Sequence, residues 1–452
     1  MAGDRLGMLA LPARRRPIRS DPWIAMPASS STPRFSVPIL VLIVFMPFAG
    51  GFFLSYVYRS VNAVIAPQLA VDLGLSPADL GFLTSVYFMT FAASQLPLGV
   101  LLDRFGPRRV QAYLLFCAAA GAFIFAVGSD FTAVAIGRAI IGFGVCGGLM
   151  ASFKAITLWF PPRSWPLVNG CFLTMGGLGA MAATVPLELV LNVIGWREVF
   201  ALMAGLTVIA GGMILISVPE RDDAPAPAPV GDQIKGYATI FTDRRFWSIV
   251  PCTVAAMATN FAVQGLWAGP WLRDVAGLDR QGVAEYLFVL TVAMMVGSTV
   301  NGMVAVWLER RGIPLIATII MLLLCYLTAQ ACLVLQIAPL SLLPWIGFGF
   351  FSNGTVLSYP LLNRLFPLAF SGRVSTAINV LGFGMAFILQ YGIGAIIDLW
   401  PSTVDGYAAP GYLYALGAVW LVQVAGFLWF LVTWFGLSWR GVSTRDLASE
   451  AR

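Results

Sequence analysis

Three cationic side chains, Arg59, Arg138 and Lys154, lie in stretches that are otherwise almost wholly apolar. An intramembrane charge costs at least about 2.5–3.5 kcal/mol by insertion scales, so each of the three needs a partner or a purpose. Arg59 is the most informative. Asn62 lies one helical turn on and shares its face, and no Asp or Glu occurs between residues 38 and 66 to neutralise it. A guanidinium presents a planar fork that matches carboxylate and phosphate. An arginine with no acid of its own therefore points to an anionic ligand. The competing reading is that Arg59 snorkels to water at its helix end. Lys154 is equally open: it either lines a cavity or snorkels to the nearer surface.

The acids are placed differently. Glu188, Glu285 and Asp398 all fall near the ends of apolar runs. A proton relay normally uses an acid within the span, so Glu188 is a weak coupling candidate and is better read as paired or solvated. Enzyme chemistry finds no foothold. There is no His, and the six Cys form no CxxC pair, which argues against zinc, His-ligated haem and a His-based triad. No nucleotide-binding Gly-Lys loop occurs, so ATP is not the energy source. We expect no metal and no organic cofactor.

Polar side chains recur inside the apolar runs. Asn260, Gln264 and Trp267 share one helical face at i, i+4 and i+7. Gln95 occurs earlier in the chain, and Asn353, Tyr359, Asn363, Asn379 and Gln390 later. Amides are costly against lipid and should face inward, lining a passage or joining helices.

What must position these residues follows from composition. The chain is 59% hydrophobic and 11% charged, with mean hydropathy +0.84, against roughly 25% charged in soluble domains. So little charge cannot cover a water-facing surface. Taking about 20 apolar residues per crossing, we read twelve spans: 38–66, 79–102, 110–128, 132–158, 166–190, 197–217, 246–272, 283–307, 314–334, 340–365, 374–398 and 411–436. The expected fold is all-α. With both termini in the cytoplasm, about 21 of the 27 Lys and Arg fall on that side, and only Arg197, Arg273 and Arg280 fall outside. Topology thus explains the net charge of +6, and no nucleic-acid partner is expected. Residues 1–35 read as a basic, disordered cytoplasmic tail in which Met26 offers an alternative start. Residues 438–452 read as a second tail.

The Pro-rich, charged segment 218–245 reads as a cytoplasmic linker between a bundle at 36–217 and another at 246–437. The two resemble each other. Ile141-Gly142-Phe143-Gly144 recurs as Ile346-Gly347-Phe348-Gly349, and Phe160-Pro161 recurs as Phe366-Pro367. Asp103-Arg104 with Gly106 matches Glu309-Arg310 with Gly312, and Trp196 matches Trp400. Matches at one common spacing indicate a duplicated unit. Repeated halves are an architecture of secondary transporters, with the solute between them near the midplane.

At this point the sequence resembles the major facilitator superfamily. Gly99, Leu101, Asp103, Arg104, Gly106, Arg108 and Arg109 match its G-x-L-x-D-R-x-G-x-R-R signature, and Arg138 with Gly142 and Gly144 matches a second motif. The resemblance implies a charge latch in which Asp103 meets a neighbouring helix N-terminus and an Arg. That latch would steady the state closed on the cytoplasmic side, with Arg138 mainly structural and Glu309-Arg310 a reduced copy. The first span is also similar to the organophosphate:phosphate antiporter branch, where an Arg at the position of Arg59 binds substrate. Gln95 replaces that branch's second-span Lys, and no cation matches on the seventh span. These departures imply a monoanionic or more polar-aromatic solute rather than a phosphate ester.

The expectation is a monomeric secondary transporter in the inner (plasma) membrane, moving a small organic anion by alternating access. A coupling proton or an exchanged anion would drive it. Substrate contacts are expected from Arg59, Asn62, Gln95, Lys154, Gln264, Trp267, Tyr359, Asn363 and Asn379. Gating is expected from Asp103, Arg104, Arg108, Arg109, Arg138, Glu309 and Arg310. The alternatives are an exporter of drugs or metabolites and a solute sensor without flux.

Overall fold

The computed structural model describes residues 36–220, 237–367, 370–401 and 406–439. The expected tail at 1–35, most of the linker and residues 440–452 lie outside them. The described elements are helical throughout: α1 (Val37–Ser60), α2 (Asn62–Leu73), α3 (Pro77–Val127), α4 (Phe131–Trp159), α5 (Trp165–Ala182), α6 (Val185–Leu191) and α7 (Trp196–Ser217) form the first half. The second half holds α8 (Arg244–Asp274), α9 (Arg280–Arg310), α10 (Leu315–Val334), α11 (Leu342–Ser352), α12 (Ser358–Asn363), α13 (Ser371–Ile397) and α14 (Ala409–Trp439). Among the described residues nine helices are long and apolar enough to cross a bilayer, and ten if α5 and α6, bent by 41°, count as one.

Each boundary has a local cause. Ser76 and Asp79 cap α3 reciprocally, each side chain accepting from the other's N–H at 3.1 Å. Asp130 caps α4 and Asp279 caps α9, both at 2.9 Å. The 51 residues of α3 would reach about 76 Å if straight, far beyond a hydrocarbon core of about 30 Å. The helix is broken at Gly106, whose φ of 74° is cheap only for glycine. Its arms, 77–105 and 107–127, correspond to the second and third expected spans. Pro186 cannot donate to the Ala182 carbonyl, and the chain bends between α5 and α6 there. Between α11 and α12 the backbone tightens into a 3₁₀ turn over Asn353–Leu357, with Pro360 just beyond. The expected span at 340–365 is therefore not one straight helix.

Buried rings and aliphatic side chains run continuously through both halves. In the first half α3 packs on α4 and α7, and α1 on α5; in the second α9 packs on α11, and α8 on α13 and α14. The ends bordering the linker are fixed by Arg108 donating to the Leu215 carbonyl, Ser217 to the Ile43 carbonyl at 3.1 Å, and Trp429 to the Trp247 carbonyl at 2.8 Å. We call this the linker side and the opposite end the far side.

The halves meet through α3 and α13, α2 and α8, and α5–α6 and α9. Contact is closest toward the far side. A Cβ at Gly269 would overlap the Ala63 carbonyl, and one at Gly394 would overlap the Pro77 carbonyl. Small residues there let the backbones touch. Met295 of α9 meets Gly177 of α5 near mid-height. On the linker side of that contact, the same face of α9 borders an open groove of about 510 Å³ lined by Thr299, Gly302, Met303, Val306, Trp307 and Arg310.

Candidate functional site

Arg59 sits near the end of α1 and is 8% exposed. Its guanidinium carbon lies 4.7 Å from the Tyr56 ring centre, 5.5 Å from Phe91, 5.2 Å from Phe261 and 5.3 Å from Phe383. Two of these rings belong to the first half and two to the second. Ring faces attract a cation by their quadrupole, and the phenols of Tyr56 and Tyr87 also act on the guanidinium, but Arg59 Nε has no hydrogen-bond partner. Among the described residues no carboxylate pairs with Arg59. α1 continues into α2 through Val61, and Arg59 is buried among rings rather than reaching water, so the snorkelling alternative is set aside.

Arg138 is a different kind of cation. It is 1% exposed, donates to the Tyr58 carbonyl at 2.7 Å and lies 4.7 Å from the Tyr87 ring centre. Tyr58 in turn shares a 2.9 Å hydrogen bond with Thr207. Arg138 thus ties α4 to α1 behind the cage, a structural position.

Lys154 does not reach the centre. Its Nζ donates to Asp103 at 2.6 Å and to the Leu102 carbonyl at 2.8 Å, so its charge is committed at the linker-side end of the first arm of α3. In this structure Lys154, expected among the substrate residues, is therefore placed away from the Arg59 cage: the side chain is long enough to find a carboxylate one helix away. Asp103 likewise pairs with Lys154 rather than with an arginine. Arg108 and Arg109 both reach Glu220, Arg108 at 2.9 Å, and Arg104 lies 5.4 Å from the Phe105 ring centre. The motif's ion pairs stay within the first half and the start of the linker. In the second half Glu309 pairs with Arg364 at the corresponding position. Arg364 was missed in the sequence, although Lys154 and Arg364 stand at nearly the spacing of the other repeats. Arg310 lines the α9 groove.

Several amides are already engaged. Asn62 donates to Thr84 at 3.0 Å with its Oδ1 unpartnered, and Gln95 donates to the Cys146 carbonyl at 3.3 Å. Trp267 is fully buried, donates to the Gln390 carbonyl at 2.9 Å and wedges between Gly81 and Gly394. It is a closing contact between the halves. The π-helical segment Val263–Trp267 interrupts the α-helical register, so the expected common face with Gln264 is broken. Gln264 is half-buried and follows Phe261 by three residues. Tyr359 donates to Asn379 at 2.6 Å, with Met257 Sδ at 3.7 Å. Asn363 is half-buried, with Oδ1 unpartnered.

Glu188 is paired, and across the halves. Its carboxylate, on a side chain 7% exposed, accepts from Arg280 Nε at 3.0 Å. Gln68 of α2, with its amide oxygen turned toward Arg280, accepts from both terminal nitrogens at 2.8 and 3.1 Å. One cation of the second half thus holds two elements of the first at the far side.

Comparison with known proteins agrees with this architecture. The family model described as Major Facilitator Superfamily matches residues 48–390. A probable sulfoacetate transporter of Cupriavidus necator is 24% identical over 277 residues, 58% of this chain and 64% of that protein, just under two thirds of its length. A D-galactonate transporter of Escherichia coli is 22% identical over 405 residues, 82% of this chain and 90% of that protein. Among solved structures, a D-xylose-proton symporter superposes with a TM-score of 0.67 at 16% identity, covering 88% of this chain and 97% of the other, and shows the shared fold. The chain belongs to the Major Facilitator Superfamily and is a multi-pass membrane transporter rather than an enzyme.

Proposed function

We propose that the protein is a secondary transporter of a small organic anion, carboxylate-type in chemistry, working by alternating access with Arg59 as the group that takes the solute's charge. The observation that carries this is a buried guanidinium with four ring faces and no acidic partner, set where the two halves meet. An anion arriving in the plane of the guanidinium would give Nε the partner that it lacks, beside the phenols of Tyr56 and Tyr87. The names of the two relatives, transporters of sulfoacetate and D-galactonate, support an organic anion.

In this reading the helices make twelve crossings in two pseudo-symmetric bundles. α1 runs on into α2, α3 contributes two arms, and α5–α6 and α11–α12 each cross as one broken span. The linker side, with both termini, faces the cytoplasm of a cell whose plasma membrane holds the protein as a monomer. The tight far-side contacts and the α9 groove are those expected of a cytoplasm-open state. Glu188, bound to Arg280, belongs to the far gate, and a coupling proton would act there.

The test is uptake by proteoliposomes against a panel of mono- and dicarboxylates, sulfonates and uncharged analogues. Wild-type protein should accumulate at least one anion, and Arg59→Ala should lose it. Undiminished uptake of every recognised solute by Arg59→Ala would reject the reading.

A further inference from the structure

The cage around Arg59 also bears on the rest of the solute, provided Arg59 takes its charge. Phe261 and Phe383 are stacked with centroids 5.0 Å apart and planes 3° from parallel. Phe88 extends the stack, 5.7 Å from Phe261 and 6.0 Å from Phe383, and Phe91 lies 4.3 Å from Phe383. Phe91, Phe261 and Phe383 thus set three apolar ring faces beside the guanidinium, which pack against planar apolar groups; the phenols of Tyr56 and Tyr87 also lie near it, too few to pair the several hydroxyls of a polyol.

The charge count is equally restrictive. Lys154 is spent on Asp103. Arg138 is tied to the Tyr58 carbonyl and 1% exposed. Arg280 is held by Glu188 at the far side. Among the described residues Arg59 and Arg138 both lack an acid, and Arg138 lies behind the cage with its charge turned to the Tyr58 carbonyl, so Arg59 is the cation that the cage presents. A second carboxylate on the solute would be desolvated with no counter-charge.

We propose that the site selects a monovalent oxyanion carrying a planar apolar body, an aryl or arylalkyl monocarboxylate or monosulfonate, with Phe91, Phe261 and Phe383 determining that specificity. The anion docks on the in-plane edge of Arg59, and the body takes the place one ring face now occupies. Phe91 belongs to the first half and Phe261 and Phe383 to the second, so rocking of the halves opens and closes the stack on the solute.

The experiment is titration of the purified full-length protein with four probes: phenylacetate, D-galactonate, glutarate and the uncharged phenylacetamide. Phenylacetate should bind at least about tenfold more tightly than galactonate or glutarate, because each unpaired buried polar group costs that order of affinity, and phenylacetamide should not bind. Phe261→Asn should erase the preference, while Phe261→Leu should keep it within about threefold, since apolar volume is retained. Galactonate or glutarate binding as well as phenylacetate, with the amide still rejected, would overturn the body assignment and leave the anion reading intact. Equal binding of amide and acid, or no binding of any anion, would overturn both. A preference unchanged in Phe261→Asn would remove the ring's role, and if that variant does not fold, the wild-type ranking decides.

Discussion

At the scale of single residues, the account turns on which cations are free. Arg59→Ala should lower transport by about 10- to 100-fold, the range expected for losing charge-assisted hydrogen bonds. Arg59→Lys, which keeps charge but loses the fork, should fall between. Lys154→Gln is the contrast. Its ion pair is partly exposed, 25% at Lys154 and 45% at Asp103, so its loss should cost about 0–1 kcal/mol of stability. Apparent substrate affinity should stay within about twofold, because the chemistry of a linker-side ion pair does not touch the solute. A thermal melt together with an uptake titration checks both. Arg59 could be found in the sequence because a lone arginine in an apolar run breaks the pattern. Its rings could not. Phe91, Phe261 and Phe383 are three of 32 phenylalanines, and only the packing of α1, α3, α8 and α13 brings them to one cation. The destination of Lys154 was hidden for a related reason: a flexible side chain chooses its partner in three dimensions.

At the scale of elements, the far side is held by Arg280 bridging α9 to α6 and α2. Arg280→Ala would leave the Glu188 carboxylate without its cation; because the Arg280 side chain is 52% exposed, the cost falls below the about 3–5 kcal/mol of a fully buried pair. Part of that cost is relieved when the halves separate and water enters. The variant should therefore populate the far-open state more. In a cysteine-free background, Gln264→Cys should react several-fold faster with an impermeant thiol reagent added from the far side. Adding Glu188→Gln should return most of the change, since no charge is then stranded; an unchanged rate in Arg280→Ala would mean the pair does not hold the gate. Most spans could be read from hydropathy, and Gly106 marked the turn within α3. The break at Pro186 was obscured because apolar letters flank it, whereas Ser352-Asn353-Gly354-Thr355 is a turn signal that the apolar runs on either side outweighed. The Glu188–Arg280 pair was not visible, since its members lie about 90 residues apart near helix ends in different halves.

At the scale of the whole molecule, the two halves carry the same devices. Gly106 and Gly312 both have positive φ, 74° and 84°, and the pairs Asp103–Lys154 and Glu309–Arg364 occupy matching positions. The duplication was legible because turns and ion pairs at fixed offsets survive as letters, whereas the contact surface between halves depends on shape. If the halves move as bodies, joining them at the far side must stop transport. Gln68→Cys with Arg280→Cys, linked by a thiol reagent of about 10 Å because long side chains do not set disulfide geometry, should abolish uptake, and cleaving the linker should restore it. Persisting uptake in the linked protein would exclude rocking about this site. The claim beneath all of this is that Arg59 receives the solute's negative charge. It is tested most directly by measuring the affinities for a transported acid and its isosteric amide in wild-type protein and in Arg59→Gln. The account predicts that the wild type favours the acid by about 100-fold or more and that the variant treats the two alike; an Arg59→Gln protein that still prefers the acid to the same degree would contradict it.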